Sequence, residues 1–253
     1  MSICILLISG CKGECKLKSD CIPKECTIVN CINKNCQYTN IKNCCGNRLK
    51  EEIEDGKPGN KCTCPADYGR CEGKGKIQVG SRTYDAQYLK YICENNKCVL
   101  GVDKDDLKEL TLLDERDFSY FKLETLTTFN KPFDTRKDSF HFRIRLKDIN
   151  DELVLPVKIN KIILRDGEVL FGEKNVEQVL NGIGDKIIVK VPVTYDLEQL
   201  EEQRGLSYKM DYEYTKKVKD QRLENGSYTF KEELVRDDYE NKFQTKIFFV
   251  KSG

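Results

Sequence analysis

The residue type with the most chemistry to offer in this chain is cysteine, with fourteen copies, all lying between Cys4 and Cys98. Cysteine sulfurs either ligate metal as thiolates or close disulfides, and their spacing separates the two uses. Zinc ribbons, ferredoxins and thioredoxin-like sites rely on Cys-x-x-Cys, which brings two sulfurs onto one centre. That spacing does not occur here; four residues separate each of Cys21, Cys26, Cys31 and Cys36 from the next, one separates Cys62 from Cys64, and Cys44 and Cys45 are adjacent. Neighbouring cysteines point in different directions and serve separate bridges. The expectation is a closed disulfide framework over Cys15, Cys21, Cys26, Cys31, Cys36, Cys44, Cys45, Cys62, Cys64, Cys71, Cys93 and Cys98, with no metal and no cofactor. The alternative left open is a cysteine-ligated metal or iron–sulfur module for electron transfer or metal handling.

Other reactive constellations are thin. The chain has one histidine, His141, and no tryptophan, which removes most histidine-dependent triads and the best surface for stacking sugars. Glu51, Glu52, Glu54 and Asp55 gather near Asn60 and Asp67 without the D-x-D-x-D-G spacing of a calcium loop, and read as a solvated acidic turn. Gly73-Lys74-Gly75-Lys76 lacks the flanks of a phosphate loop. No pair of carboxylates nominates an acid and a base, so no enzyme is expected. The 43 basic and 42 acidic residues nearly cancel, and with no net field nucleic acid is not an expected partner.

Positioning these residues requires two modules, because no cysteine follows Cys98. Residues 3 to 9 form a short apolar run suited to a signal-peptide core and too brief to span a bilayer. Ile8-Ser9-Gly10-Cys11 behind it resembles a lipobox, although no Lys or Arg precedes the run. The resemblance implies acylation of Cys11 after removal of residues 1–10, and therefore an extracellular, lipid-anchored location, or secretion if the lipobox is not used. Residues 11–101 have few periodic apolar runs and must be held by cross-links. Within them, Cys45-Gly46-Asn47, Gly59 through Cys71 with its Cys62-Thr63-Cys64-Pro65-Ala66-Asp67 core, and Tyr91 through Val99 resemble a small cysteine-rich repeat of exported, archaeal-type surface proteins. Tyr68 stands where that repeat has a cysteine, and none follows Cys45 within a few residues. The resemblance implies an extracellular setting and transfers no catalytic residue.

The remainder, 102–117 as linker and first strand and 118–253 as a domain, has strand character. Phe140, Phe142, Ile144 and Leu146 alternate with His141, Arg143, Arg145 and Lys147, the pattern of a strand with one dry and one wet face. Similar signals at 118–126, 153–164, 187–193, 207–215, 228–235 and 243–250, separated by turns such as Asp166-Gly167, Gly184-Asp185 and Asn225-Gly226, point to about seven or eight strands in a sandwich. Pro156 and Pro192 suggest bulges or edges. Brief helical patterns are read at Val176 to Leu180 and from Asp196 to Gly205. Gly205-Leu206-Ser207-Tyr208 resembles the corner between strands E and F of immunoglobulin-like and fibronectin type III domains, which implies a buried Tyr208 whose hydroxyl satisfies a backbone group. Asn225-Gly226-Ser227 is both a glycosylation sequon and a hairpin turn.

The fold class expected is therefore mainly β: a disulfide-rich N-terminal module and a C-terminal immunoglobulin-like antiparallel sandwich with short helices. The function expected is that of an exported surface protein making structural or adhesive contacts with other envelope or extracellular proteins or glycans, held to the membrane by lipid and open to homo-oligomerisation. An accessory binding domain of a surface hydrolase or transporter is a further alternative.

Overall fold

The computed structural model describes residues 14–253; the apolar run and Cys11 lie outside them. The chain divides into two compact units, one of residues 1–72 and 92–99, the other of 73–91 and 100–253.

The first unit is cross-linked rather than packed. It holds the hairpin β1 (Thr27–Ile32) and β2 (Asn35–Asn40), the two-residue ladder β3 (Ile53–Glu54) with β4 (Lys57–Pro58), and the single turn α1 (Pro65–Tyr68). Its buried apolar cluster is little more than Cys15, Cys21 and Val29. All twelve expected cysteines are bridged: Cys15–Cys31, Cys21–Cys36, Cys26–Cys44, Cys45–Cys64, Cys62–Cys93 and Cys71–Cys98. Cys44 and Cys45 do serve separate bridges, one closing the interleaved set at residues 15–44 and the other opening the second set.

The second unit is a β-sandwich with additions. Three strands precede it, β5 (Lys74–Val79), β6 (Arg82–Glu94) and β7 (Lys97–Val102), with the tip 92–99 belonging to the first unit. The sandwich strands are β8 (Lys108–Asp117), β9 (Phe121–Lys131), β11 (Ser139–Ile149), β12 (Leu153–Asp166), β13 (Val169–Leu180), β14 (Lys186–Pro192), β16 (Ser207–Arg222) and β17 (Tyr228–Lys242); the short β10 (Phe133–Asp134), β15 (Glu201–Arg204) and β18 (Ile247–Val250) form a separate small sheet. One four-stranded sheet runs β14-β11-β9-β8, the other β13-β12-β16-β17. The chain changes sheet between β11 and β12, returns between β13 and β14, and crosses again before β16, so each sheet is joined from non-consecutive strands.

The alternation read at 140–147 is seen directly: Phe140, Phe142, Ile144 and Leu146 are fully buried while His141, Arg143 and Arg145 are exposed. They share one core with Ile159, Ile162, Leu164, Met210 and Tyr212 from the opposite sheet. Pro156 sits where the β12–β16 register shifts, and Pro192 ends the edge strand β14, the two placements a missing N–H allows. Gly172 is required by close approach, since a Cβ there would lie 2.1 Å from the Pro192 carbonyl oxygen.

Several expectations need correction. Val176 to Leu180 is strand, because Lys158 and Val157 pair across to Val179 and Leu180; Val179 is exposed, so the helical spacing marks no buried face. The Asp196 to Gly205 segment leads into β15, which pairs with the C-terminal β18. Asp103 to Asp106 is not a free linker: it forms a 3-10 turn capped by Asp103, and Lys90 bonds both Asp103 (2.9 Å) and Asp106 (3.2 Å). The sandwich unit also takes in residues 73–91, which the sequence assigns to the cysteine module, because Ala86 and Leu89 are buried with Val250.

Candidate functional site

Three places gather side chains with chemistry to offer: the sulfur clusters, the surroundings of Tyr208 and the outer faces of the sandwich.

Among the described residues the cysteine sulfurs are all bridged and offer no thiolate. Where cysteine and carboxylate atoms crowd within 4.8 Å among the described residues, each group contains bridged cysteines, and a sulfur bonded to sulfur is not a thiolate donor. What the first unit does build is a pinned turn. The Asp67 carboxylate accepts from the Gly46 N–H (2.6 Å) and the Arg48 N–H (2.7 Å). Asn47, 2% exposed, donates to the Ile41 carbonyl and the Glu51 carboxylate. The Tyr68 hydroxyl donates to the Glu51 carbonyl at 2.5 Å, tying the end of α1 to the segment at Glu51. Gly59 permits this approach, since a Cβ would fall 2.1 Å from the Glu51 oxygen. The acidic residues here are therefore engaged largely with backbone N–H groups.

Tyr208 is buried as expected, but its partner differs. Tyr208 Oη donates to Asp114 Oδ2 at 2.5 Å, and Tyr239 Oη donates to the same oxygen at 3.0 Å. The acceptor is thus a carboxylate on β8 rather than a backbone group. Burial, followed by the Asp114 charge, drives the Tyr208 hydroxyl far above its ordinary pKa, and burial pushes Tyr239 up to about 12. Gly205 has open space around it and no positive φ, so nothing in the corner requires glycine there. Asn225 sits in the exposed β16–β17 turn, its Oδ1 accepting from the Ser227 N–H.

The outer faces of the two sheets differ in how their charges are settled. On the β13-β12-β16-β17 sheet the charges form rows across strands. Lys158 lies between Glu177 (2.5 Å) and Glu213 (3.5 Å), and Glu213 also accepts from Arg236 (3.1 Å). Lys161 meets Glu173 (2.7 Å) and Lys209 meets Asp238 (3.2 Å). These bonds hold the Glu213 carboxyl below its usual range, chiefly through Arg236, and raise Lys158 through Glu177.

On the other sheet, acids and their partners lie on one side: Glu115 with Lys122 (3.0 Å) and Glu124 with Lys147 (3.1 Å). The outward positions of β11 and β14 are His141, Arg143 and Arg145 opposite Lys190, Ile188 and Lys186. No acid is among them, although Glu124 of β9 stands opposite Arg145 on its other side and bonds Lys147 instead; neither arginine and neither lysine forms an ion pair within the described residues. Arg145 and Lys186 stand directly opposite each other, a like-charge pairing that disfavours the sheet slightly. Ile188, 61% exposed, lies between the lysines. Two shallow depressions open here, about 420 Å³ around Glu109, Asp138, Ser139, His141 and Lys190 and about 340 Å³ around Leu126, Arg143 and Ile188.

Alternation along β11 places His141, Arg143 and Arg145 on its wet face but does not reveal the patch, because β14 is distant in the chain and only the β11–β14 pairing sets Lys186 and Lys190 beside the arginines. Comparison with family models, curated proteins and solved structures finds no match.

Proposed function

We propose that this is an exported cell-surface protein, anchored by lipid on Cys11, that makes structural or adhesive contacts and carries out no catalysis. The observation that carries this reading is the complete pairing of the twelve cysteines from Cys15 to Cys98 into six bridges. Their Cα atoms lie 5.4 to 5.9 Å apart, inside the bridging range of roughly 4.4–6.8 Å. A unit with so small an apolar cluster would not hold in a reducing compartment, so it belongs where disulfides persist. The same pairing argues against the metal-handling alternative, which needs free thiolates.

The pinned Gly46–Arg48 turn and the Tyr68–Glu51 bond support the likeness to exported cysteine-rich repeats, and the sheet-switching strand order supports the immunoglobulin-like reading of the sandwich. The test is the intact mass and thiol content of protein purified from its native membrane. The mature chain is expected to begin at an acylated Cys11 and to show no alkylatable thiol before reduction. Soluble protein that retains Met1 and labels with alkylating agent without reductant would overturn the proposal.

A further inference from the structure

The cationic face formed by β11 and β14 is unbalanced within a chain whose charges otherwise nearly cancel. Lysines on an edge strand can be explained as protection against strand pairing, which covers Lys186 and Lys190. That explanation does not reach Arg143 and Arg145, which stand on β11, paired on both sides by β9 and β14. Two arginines and two lysines on adjacent strands, with Glu124 of β9, opposite Arg145, the one acid directly across from them, leave a local excess of positive charge. On the opposite sheet the central lysines Lys158, Lys161 and Lys209 each meet an acid on a neighbouring strand.

The shape of the patch selects its partner. It is a stripe two strands wide, about 5 Å between strands, with outward side chains repeating about every 7 Å along β11. Beside it, Glu109, Glu115 and Glu124 occupy the β8 and β9 side of the same sheet. A planar anionic membrane would press on all of those acids together with the cations, whereas a single extended polyanion following the stripe meets, of these, only Glu124 beside Arg145 and Glu109 at the rim of the first depression. The outward residues of the stripe include no Phe or Tyr, so unpaired bases would find no stacking platform. His141 and Thr128, which lines both depressions with it, offer hydrogen-bonding groups beside the charges.

We propose that the β11–β14 face is the docking surface for an acidic polysaccharide, its carboxylates or sulfates paired with Arg143, Arg145, Lys186 and Lys190. This rests on the surface-binding reading above and names the partner class. It is tested on the oxidised chain with polygalacturonate as the probe, measured at low and raised salt. Wild type is expected to bind, with affinity falling as salt rises. The variant carrying Arg143→Glu and Arg145→Glu is expected to bind roughly tenfold or more weakly, about 1.4 kcal/mol or more. A control with the same change of net charge, Lys217→Glu with Arg222→Glu on the exposed β16–β17 hairpin, is expected to bind as wild type does. An unchanged far-UV spectrum establishes that each variant is folded.

Absent binding at low salt, equal loss in the control, or retained affinity in the arginine variant would overturn the proposal. So would competition by oligothymidylate, or by anionic phospholipid vesicles, as effective as that of the polysaccharide. None of these results depends on whether Cys11 is acylated, so failure here is separable from failure of the location.

Discussion

Tyr208, 1% exposed, bonds through its hydroxyl to a half-buried carboxylate that also serves Tyr239. Tyr208→Phe keeps the ring and removes one of the two donors, so the expected loss is about 1–3 kcal/mol in urea unfolding; Asp114 retains Tyr239, which holds the cost toward the lower end. An unchanged midpoint would mean that the bond contributes nothing net. The buried tyrosines also set an alkaline limit. The chain has twelve tyrosines, and those at 208, 212, 214 and 239 have pKa values raised above 10.0, first by burial. Their neutral form is favoured by folding, so this contribution is fully present below pH 10 and declines as pH climbs from there through the raised folded values, which for Tyr239 is about 12. Phenolate absorbance should therefore rise in two stages, with exposed tyrosines first and the buried set together with loss of the far-UV β signal. A single stage with the fold intact would contradict the burial.

At the scale of elements, one side chain carries the polar part of the docking of β6. Glu201, 6% exposed on β15, accepts from the backbone N–H groups of Gln87 (2.7 Å), Tyr88 (2.8 Å) and Leu89 (2.6 Å). The packing of Ala86, Leu89 and Val250 closes over this contact. Glu201→Ala would leave three backbone donors without this partner, the Leu89 N–H buried and the other two partly so, a cost on the order of 3 kcal/mol. Hydrogen exchange read residue by residue should show faster exchange at Gln87, Tyr88 and Leu89, while amides in β11 stay protected. Equal acceleration in both places would mean that Glu201 supports the whole sandwich rather than this contact. Such a contact spans more than a hundred residues of chain, and no local pattern around Glu201 marks it. The strands legible in the sequence were those with clean alternation, β11, β14 and β16, because period two and burial coincide there. β13 and β15 were obscured because their pairing, and not their composition, makes them strands.

For the molecule as a whole, the distribution of cysteine separates the two units chemically. Every bridge lies within residues 1–72 and 92–99, and residues 73–91 and 100–253 contain no cysteine. Each bridge typically contributes about 2–4 kcal/mol by constraining the unfolded chain, and the first unit has little burial to replace it. Reductant should therefore expose the first unit to protease while the sandwich core resists, with fragments identified by mass. Complete digestion on reduction would mean that the sandwich needs the cross-linked unit to stand. Chelator should leave the protease pattern of oxidised protein unchanged; a chelator-sensitive pattern would revive metal ligation.

Residue type and spacing alone made the disulfide framework legible, since twelve cysteines without a chelating pair have few other uses, and they made the wet and dry faces of β11 legible, since alternation is a local property of a strand. Which sulfur meets which, that Asp114 receives Tyr208, that Gly205 has no special task, and that Lys186 and Lys190 complete a cationic stripe with Arg143 and Arg145 were not legible. Each of these depends on segments far apart in the chain being brought together by sheet pairing or packing, and a near-zero total charge conceals where unpaired charge gathers once the strands are in register.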